Sequence, residues 1–117
     1  MKRTKVVTRE IPKTEWNDFC NEFSRRHQGW LANVEINGEV KIKESPFKKI
    51  SLSKDGRQTK AAIVIDGQAR KSVKHTVDGV ALLRLEQDKA GNDQGLTVET
   101  KSGAKTILRF INSAFSR

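Results

Sequence analysis

Three side chains in this sequence, Cys20, His27 and His75, are the strongest candidates for metal binding or acid–base chemistry. Zinc sites need clustered ligand pairs such as Cys-x-x-Cys, and the spacing of these residues matches no such pattern. Cys20 falls among apolar positions, where a thiol packs as a small hydrophobic group. His75 alternates with valines, which favours a half-buried, hydrogen-bonded histidine over a catalytic base. We therefore predict no metal site and no cofactor.

Nucleophilic catalysis needs a nucleophile, a base and a group that orients the base. No serine lies in a Gly-x-Ser-x-Gly elbow, and the glycines occur singly rather than in a phosphate-binding loop. Asp88 and Asp93 are carboxylates of a polar stretch that predicts a solvated loop. We expect a protein that is not an enzyme and has no catalytic residues. An enzyme with a pocket beside His75 is the competing interpretation, and it requires polar groups that converge on a concave site.

Basic residues are the best lead to a function. The net charge is +9, and residues 39–75 hold ten Lys and Arg against four Asp and Glu. Such a surplus attracts nucleic acid or another polyanion through its phosphates. The candidate nucleic-acid contacts share this segment: Lys41, Lys43, Lys48, Lys49, Lys60, Arg70, Lys71 and Lys74. Aromatic support for base stacking is thin there, so a lysine-rich surface that only maintains solubility is the competing interpretation.

Trp30 is a candidate contact for a protein partner. It directly follows a predicted helix end, where it either packs between helix and sheet or remains partly exposed as an anchor. Docking through Trp30 or through exposed strand edges defines an alternative function, a protein-interaction or oligomerising module.

A helix must position Cys20 and His27. Apolar residues recur at helical spacing on one face: Trp16, Phe19, Cys20, Phe23 and His27. Pro12 suits a helix start, and Gly29 suits the stop after the last turn. The pattern predicts a helical region over residues 10–28, with the helix itself over about 13–28, after a basic arm at residues 1–9. A short edge strand at Val6 and Val7 is an alternative within this arm.

From Trp30 the apolar period changes to two, which predicts strands over residues 30–111. Asn37-Gly38 predicts a type I′ hairpin turn, because both residues tolerate positive φ. Pro46 predicts a bend or bulge, and residues 112–117 a frayed tail. The prediction is one α+β domain over residues 1–117: an N-terminal amphipathic helix packed on a mostly antiparallel β-sheet or small barrel of about six to seven short strands.

The single cysteine fits a reducing compartment, and no apolar stretch of signal-peptide length follows the basic start. The longest apolar run, Ala61 to Ile65, is far shorter than a membrane span. We expect a cytoplasmic protein with no membrane contact.

The opening of the chain resembles a known sequence pattern. Thr8-Arg9-Glu10-Ile11-Pro12, Glu15-Trp16, Phe19, Phe23-Ser24 and His27-Gln28-Gly29-Trp30-Leu31 carry the likeness, with His75-Thr76-Val77 and Thr106-Ile107-Leu108-Arg109-Phe110. They are similar to an uncharacterised bacterial family of short proteins, a domain of unknown function. The resemblance implies no catalytic residues. One helix followed by bent antiparallel strands is also similar to small Sm-like RNA-binding barrels, although no Sm signature residues occur.

Overall fold

A computed structural model describes residues 7–66 and 71–111 of the chain. Arg70, most of the predicted basic arm and the predicted tail lie outside these residues. The described elements are β1 (Val7–Glu10), a 3₁₀ turn (Lys13–Glu15), α1 (Trp16–His27), β2 (Leu31–Ile36), β3 (Glu39–Asp55), β4 (Gln58–Asp66), β5 (Ser72–Val77), β6 (Val80–Gln87), β7 (Asp93–Thr100) and β8 (Lys105–Phe110).

The strands form one antiparallel sheet in the order β1-β6-β7-β8-β2-β3-β4-β5. The sheet folds back on itself so that β4 contacts β6. Its concave side encloses one hydrophobic core that includes Val34, Ile63, Leu83 and Leu108, all fully buried. The edges of the described sheet are β1 and β5.

Strand β3 links the two halves of the sheet. Its first part pairs with β2 as far as Pro46, opposite Leu31, and its second part pairs with β4 from Phe47 onward. Proline has no N–H to donate to a neighbouring strand. Pro46 is therefore tolerated at the position where β3 changes its partner from β2 to β4. A register shift between Phe47 and Lys49 confirms the bulge predicted near Pro46.

Helix α1 buries Trp16, Cys20, Phe23 and His27, as the spacing predicted. The hydroxyl of Ser24 fastens the helix to β3: it accepts the Ile50 N–H at 2.9 Å and donates to the Ile50 carbonyl at 3.1 Å. The helix ends at His27, and Gly29 follows with a φ of 89°, which costs a glycine little.

The predicted α+β class is wrong, because the described chain is mostly β. Eight strands account for 63% of it, whereas the helical residues number 15, three in the 3₁₀ turn and twelve in α1. An N-terminal helix packed on a sheet of six to seven short strands is therefore replaced by a longer, folded sheet with one short helix against β3. Two features explain the difference, and the first of them extends the short edge strand that was an alternative at Val6 and Val7. Residues 7–10 pair with β6 as a strand, and β3 continues through Pro46 for 17 residues.

Candidate anion-binding site

Three of the predicted nucleic-acid contacts share the solvent side of β3, β4 and β5. Val64 pairs with Lys49 on β3 and with Lys74 on β5, and paired residues point to the same side of a sheet. The neighbours of Val64 on β4, Ile63 and Ile65, are buried, so this row points outward. Lys60 is four residues before Val64 on the same side. We call Lys49, Lys60 and Lys74 the basic face.

Some of the predicted cations have acidic neighbours. Lys41 Nζ lies 2.9 Å from Glu39 Oε1, and Lys48 Nζ lies 3.7 Å from Asp66 Oδ1. Lys60 Nζ lies 3.8 Å from Asp78 Oδ1. These pairs are solvent-exposed and contribute little to stability, but they reduce the local positive charge. Within the described residues, Lys49 and Lys74 have no carboxylate within ion-pair distance. The strongest positive row of the basic face is therefore the one that crosses Val64.

The other predicted contacts lie elsewhere. Lys41 and Lys43 belong to the part of β3 that pairs with β2, where the register shifts twice. Glu44 has a φ of 45° there, and its N–H donates to Asn33 Oδ1 at 2.8 Å. Lys71 is exposed just before β5, and Arg70 lies outside the described residues. The structure therefore divides the predicted set instead of placing it on one surface.

A second basic feature is a cavity of about 310 Å³. It lies where the start of α1, the β3–β4 turn, the start of β6 and the β7–β8 turn meet. We call it the basic cavity. Its lining residues are Lys13, Trp16, Asn17, Leu52, Ser53, Lys54, Arg57, Thr59, Val80 and Lys101. No described residue of this lining is acidic, and four of the ten are basic.

Turns bring the four basic residues of the cavity together. Gly56, with a φ of 67°, closes the β3–β4 turn between Lys54 and Arg57. Lys54 pairs with Thr59 in the β3–β4 hairpin. These two residues are on the same side of the hairpin as the core residues Ile50 and Ile63, but nearer to the turn. The Lys101 N–H donates to the Gly79 carbonyl at 3.1 Å, which holds the β7–β8 turn beside the start of β6.

The floor of the basic cavity is apolar and fixed. Trp16 is only 6% exposed, and its indole N–H donates to the Ile11 carbonyl at 2.9 Å. Lys13 Nζ lies 5.7 Å from the centre of the Trp16 ring, within the range of a cation–π contact. Sequence reasoning missed this cavity. The available signal was local: Lys54 and Arg57 flank Asp55-Gly56, and Lys101 precedes Ser102-Gly103, both of which are turn-forming pairs. Lys13 follows Pro12, the predicted helix start.

Trp30, the predicted partner contact, is half-buried and packs against the hydrophobic core. Its ring centre lies 4.5 Å from that of His27 and 5.1 Å from that of Phe110, both at steep angles. This packing is the first of the two roles considered from the sequence, a residue between helix and sheet.

His27 and Asp93 form a buried polar pair beside these aromatic rings. His27 Nε2 lies 2.8 Å from Asp93 Oδ2, and His27 Nδ1 lies 2.7 Å from the Phe23 carbonyl oxygen. Burial lowers the pKa of His27, and the Phe23 carbonyl and the Asp93 carboxylate oppose that shift. Asp93 was predicted to lie in a solvated loop, and that prediction is wrong: it is the first residue of β7 and is buried. Gln87 Nε2 donates to its Oδ1 at 2.8 Å.

Cys20 and His75, the other candidates for metal binding or acid–base chemistry, both pack against buried residues. Cys20 is buried, as predicted, and burial raises the pKa of its thiol to about 12. His75 pairs with the buried Ile63 on the inward side of edge strand β5, and partial burial lowers its pKa. Among the residues that the structure describes, His, Cys, Asp and Glu form no group of three that could hold a metal ion.

In the described part of the chain, no helix combines the length and the apolar composition that crossing a membrane requires. Comparison with protein-family models, with curated proteins and with solved structures gives no match.

Proposed function

We propose that this chain is a non-enzymatic binding module that contacts nucleic acid through its phosphates, with the basic face as the contact surface. The single observation that carries the proposal is the row across β4 in which Lys49 and Lys74 flank Val64. Phosphate contacts need positive charge at a suitable spacing and no base-specific chemistry.

The geometry of the row suits a nucleic-acid backbone. Lys49 and Lys74 are separated by one intervening strand, which corresponds to roughly 10 Å between their Cα atoms. Lysine side chains are long and flexible, so their ammonium groups can reach neighbouring phosphates along one strand. Lys60 extends the same side toward the β3–β4 turn. Three such contacts predict a modest, salt-dependent affinity.

Recognition by the basic face is expected to be insensitive to sequence. On one side of this row the outward residues opposite one another are small or weakly polar: Ser51, Ala62 and Thr76. On the other side Asp66, opposite Ser72, adds one carboxylate to the same face. Stacking on aromatic side chains usually strengthens sequence-independent single-strand binding, and the outward rows described here contain none. Affinity should therefore follow phosphate number and salt concentration.

Titration of labelled single-stranded RNA and DNA at two salt concentrations tests this proposal. For about three phosphate contacts, the plot of log K against log salt should have a slope of about −2. RNA and DNA of equal length should bind within about threefold of each other, because phosphates carry no sequence information. Affinity that does not change with salt would contradict phosphate binding.

The alternative function, a protein-interaction or oligomerising module, has one specific observation in its favour. Edge strand β5 pairs with β4 on one side, and Val73 on β5 is 42% exposed although its partner Ile65 is fully buried. An open edge with an apolar side chain can accept a further strand. Light scattering over a range of protein concentrations tests this alternative. A mass that stays monomeric up to the highest concentration would count against self-association through β5.

A further inference from the structure

We infer that the basic cavity is a binding site for a nucleoside phosphate, with the phosphate among the four cations and the base against the apolar floor. This site is separate from the basic face and does not depend on the proposed function. A nucleoside phosphate reaches proteins either as a free nucleotide or as the phosphorylated end of a strand, and both present the same chemistry.

The charge of the cavity favours a compact anion. Lys13, Lys101 and the pair Lys54 and Arg57 come from three separate places in the fold, and all four are exposed at the rim of the cavity. Like charges that line one cavity repel one another, and a bound phosphate replaces that repulsion with attraction. Arginine adds a planar fork of donors that matches two phosphate oxygens at once. The cavity therefore suits a phosphate group better than a single carboxylate.

The floor of the cavity indicates that the ligand is more than an inorganic anion. Trp16, Leu52 and Val80 line it; Leu52 is half-buried and is the most exposed of the three, whereas Trp16 and Val80 are only 6% and 3% exposed. The indole N–H of Trp16 is already used by the Ile11 carbonyl, so the ring offers a ligand its apolar surface alone. Flat aromatic bases pack favourably on such surfaces, whereas a bare phosphate would leave them uncovered.

The size and the polar groups agree with this ligand class. A volume of about 310 Å³ lies at the lower end of the range for small-molecule sites, so one nucleotide unit is the natural occupant. Asn17, Ser53 and Thr59 also line the cavity and supply hydrogen-bonding groups at its wall. A few polar groups around an apolar floor are typical of sites that fix a ligand's orientation.

Calorimetric titration of the purified protein with adenosine 5′-monophosphate tests the inference, with adenosine and inorganic phosphate as the two half-ligands. We expect saturable binding of the nucleotide, at least about tenfold tighter than binding of either half, because each half uses only part of the site. The indole N–H signal of Trp16 in NMR spectra should shift on binding, and a Trp30→Phe variant assigns the two indole signals. Inorganic phosphate binding as tightly as the nucleotide would overturn the inference, as would a nucleotide that does not saturate at millimolar concentration.

Two double variants locate the site. Lys54→Gln/Arg57→Gln should weaken nucleotide binding at least about tenfold, since it removes two charge-assisted contacts. Lys13→Gln/Lys101→Gln, on different elements, should do the same, so the result does not depend on one hairpin. Lys89→Gln/Lys105→Gln is the matched control and should leave nucleotide binding unchanged, because both residues are exposed and lie outside the basic cavity and the basic face. Equal losses in all three variants would show a general effect of net charge and would overturn the site.

A pair of oligonucleotides distinguishes the two sources of the ligand. A dinucleotide with a 5′-phosphate that binds at least about tenfold tighter than its 5′-hydroxyl counterpart would identify a strand end, because only the former places a terminal phosphate among the cations. Equal binding of the two, with adenosine 5′-monophosphate tighter than both, would identify the free nucleotide. Loss of oligonucleotide binding in Lys49→Gln/Lys74→Gln with retained nucleotide binding separates this site from the basic face.

Discussion

His27 Nε2 lies 2.8 Å from Asp93 Oδ2, and the side chains of the two residues are only 1% and 2% exposed. This contact joins the last turn of α1 to the first residue of β7. Both nitrogens of His27 face acceptors, since Nδ1 lies against the Phe23 carbonyl. A neutral imidazole has one N–H and can donate to only one of them. When that N–H is on Nδ1, Asp93 Oδ2 receives no hydrogen bond from His27, and Arg26 Nη2 lies 3.5 Å from it.

The first prediction follows because one imidazole N–H of His27 faces two acceptors, the Phe23 carbonyl and the Asp93 carboxylate. In Asp93→Asn the new amide can donate to the unprotonated Nε2 of His27, while its oxygen still accepts from Gln87. Near pH 8 we expect the free energy of unfolding of this variant to lie within about 1 kcal/mol of the parent protein. Asp93→Ala leaves Gln87 and His27 without that partner and should cost about 2–3 kcal/mol. Urea denaturation of the three proteins measures these differences.

The free energy of unfolding of Asp93→Asn should also depend on pH in a specific direction. Burial lowers the pKa of His27 in the folded protein, so the unfolded chain binds the proton first as the pH falls. Stability from His27 is therefore present at high pH and is lost as the pH falls through the unfolded pKa of about 6.5. Asp93→Asn removes the carboxylate that opposes this lowering and should lose stability more steeply between about pH 7 and 5. An equal or shallower loss would contradict this account of the pair.

The second prediction concerns Gly95, which lies within β7 between β6 and β8. A Cβ added there would overlap the carbonyl oxygen of Leu108 in the backbone of β8. Because backbone in a central strand cannot easily move away, Gly95→Ala should lower the free energy of unfolding by about 2–4 kcal/mol. Gly103→Ala is the control: its Cβ meets nothing within 4 Å, and its φ of 95° should cost about 1–2 kcal/mol. Thermal unfolding that ranks the two variants in the opposite order would contradict the close approach of β7 and β8.

The third prediction is that Cys20 is unreactive in the folded protein. Burial raises its pKa to about 12, so at pH 8 about one thiol in ten thousand is ionised, and only the thiolate attacks a disulfide reagent. We expect the rate of reaction with an aromatic disulfide reagent to follow the unfolding of the protein. Addition of guanidinium should accelerate it toward the rate of a free thiol. Rapid labelling of the native protein without denaturant would show that α1 separates readily from the sheet.

Local patterns in the sequence predicted the parts of the fold that local chemistry determines. The helical spacing identified Trp16 and Phe23 as buried, and both are. Asn37 and Gly38 adopt φ values of 50° and 90°, as their tolerance of positive φ predicted. Each of these features depends on residues within a few positions of one another, which is the range over which periodicity and turn chemistry act.

Features that depend on distant residues were not predictable in this way. The fold class was wrong in part because the edge strand near Val7 reaches Glu10 only through pairing with β6, about 75 positions later in the chain. Asp93 is buried because His27 and Gln87 supply its partners, and no local pattern shows that. The basic cavity likewise needs Lys13 and Lys101 to meet, which depends on the final packing of α1 and the β7–β8 turn.

The last prediction tests the basic face by charge reversal. Lys49→Glu/Lys74→Glu replaces attraction with repulsion on both sides of Val64, so affinity for a single-stranded oligonucleotide should fall at least about tenfold. The salt slope should become shallower by about 1.4, since two phosphate contacts are lost. Lys89→Glu/Lys105→Glu is the matched control: both residues are exposed, one between β6 and β7 and the other at the start of β8, and the change in net charge is identical. If the control loses as much affinity as the test variant, the attraction comes from the total charge of the protein and the basic face is not the contact surface.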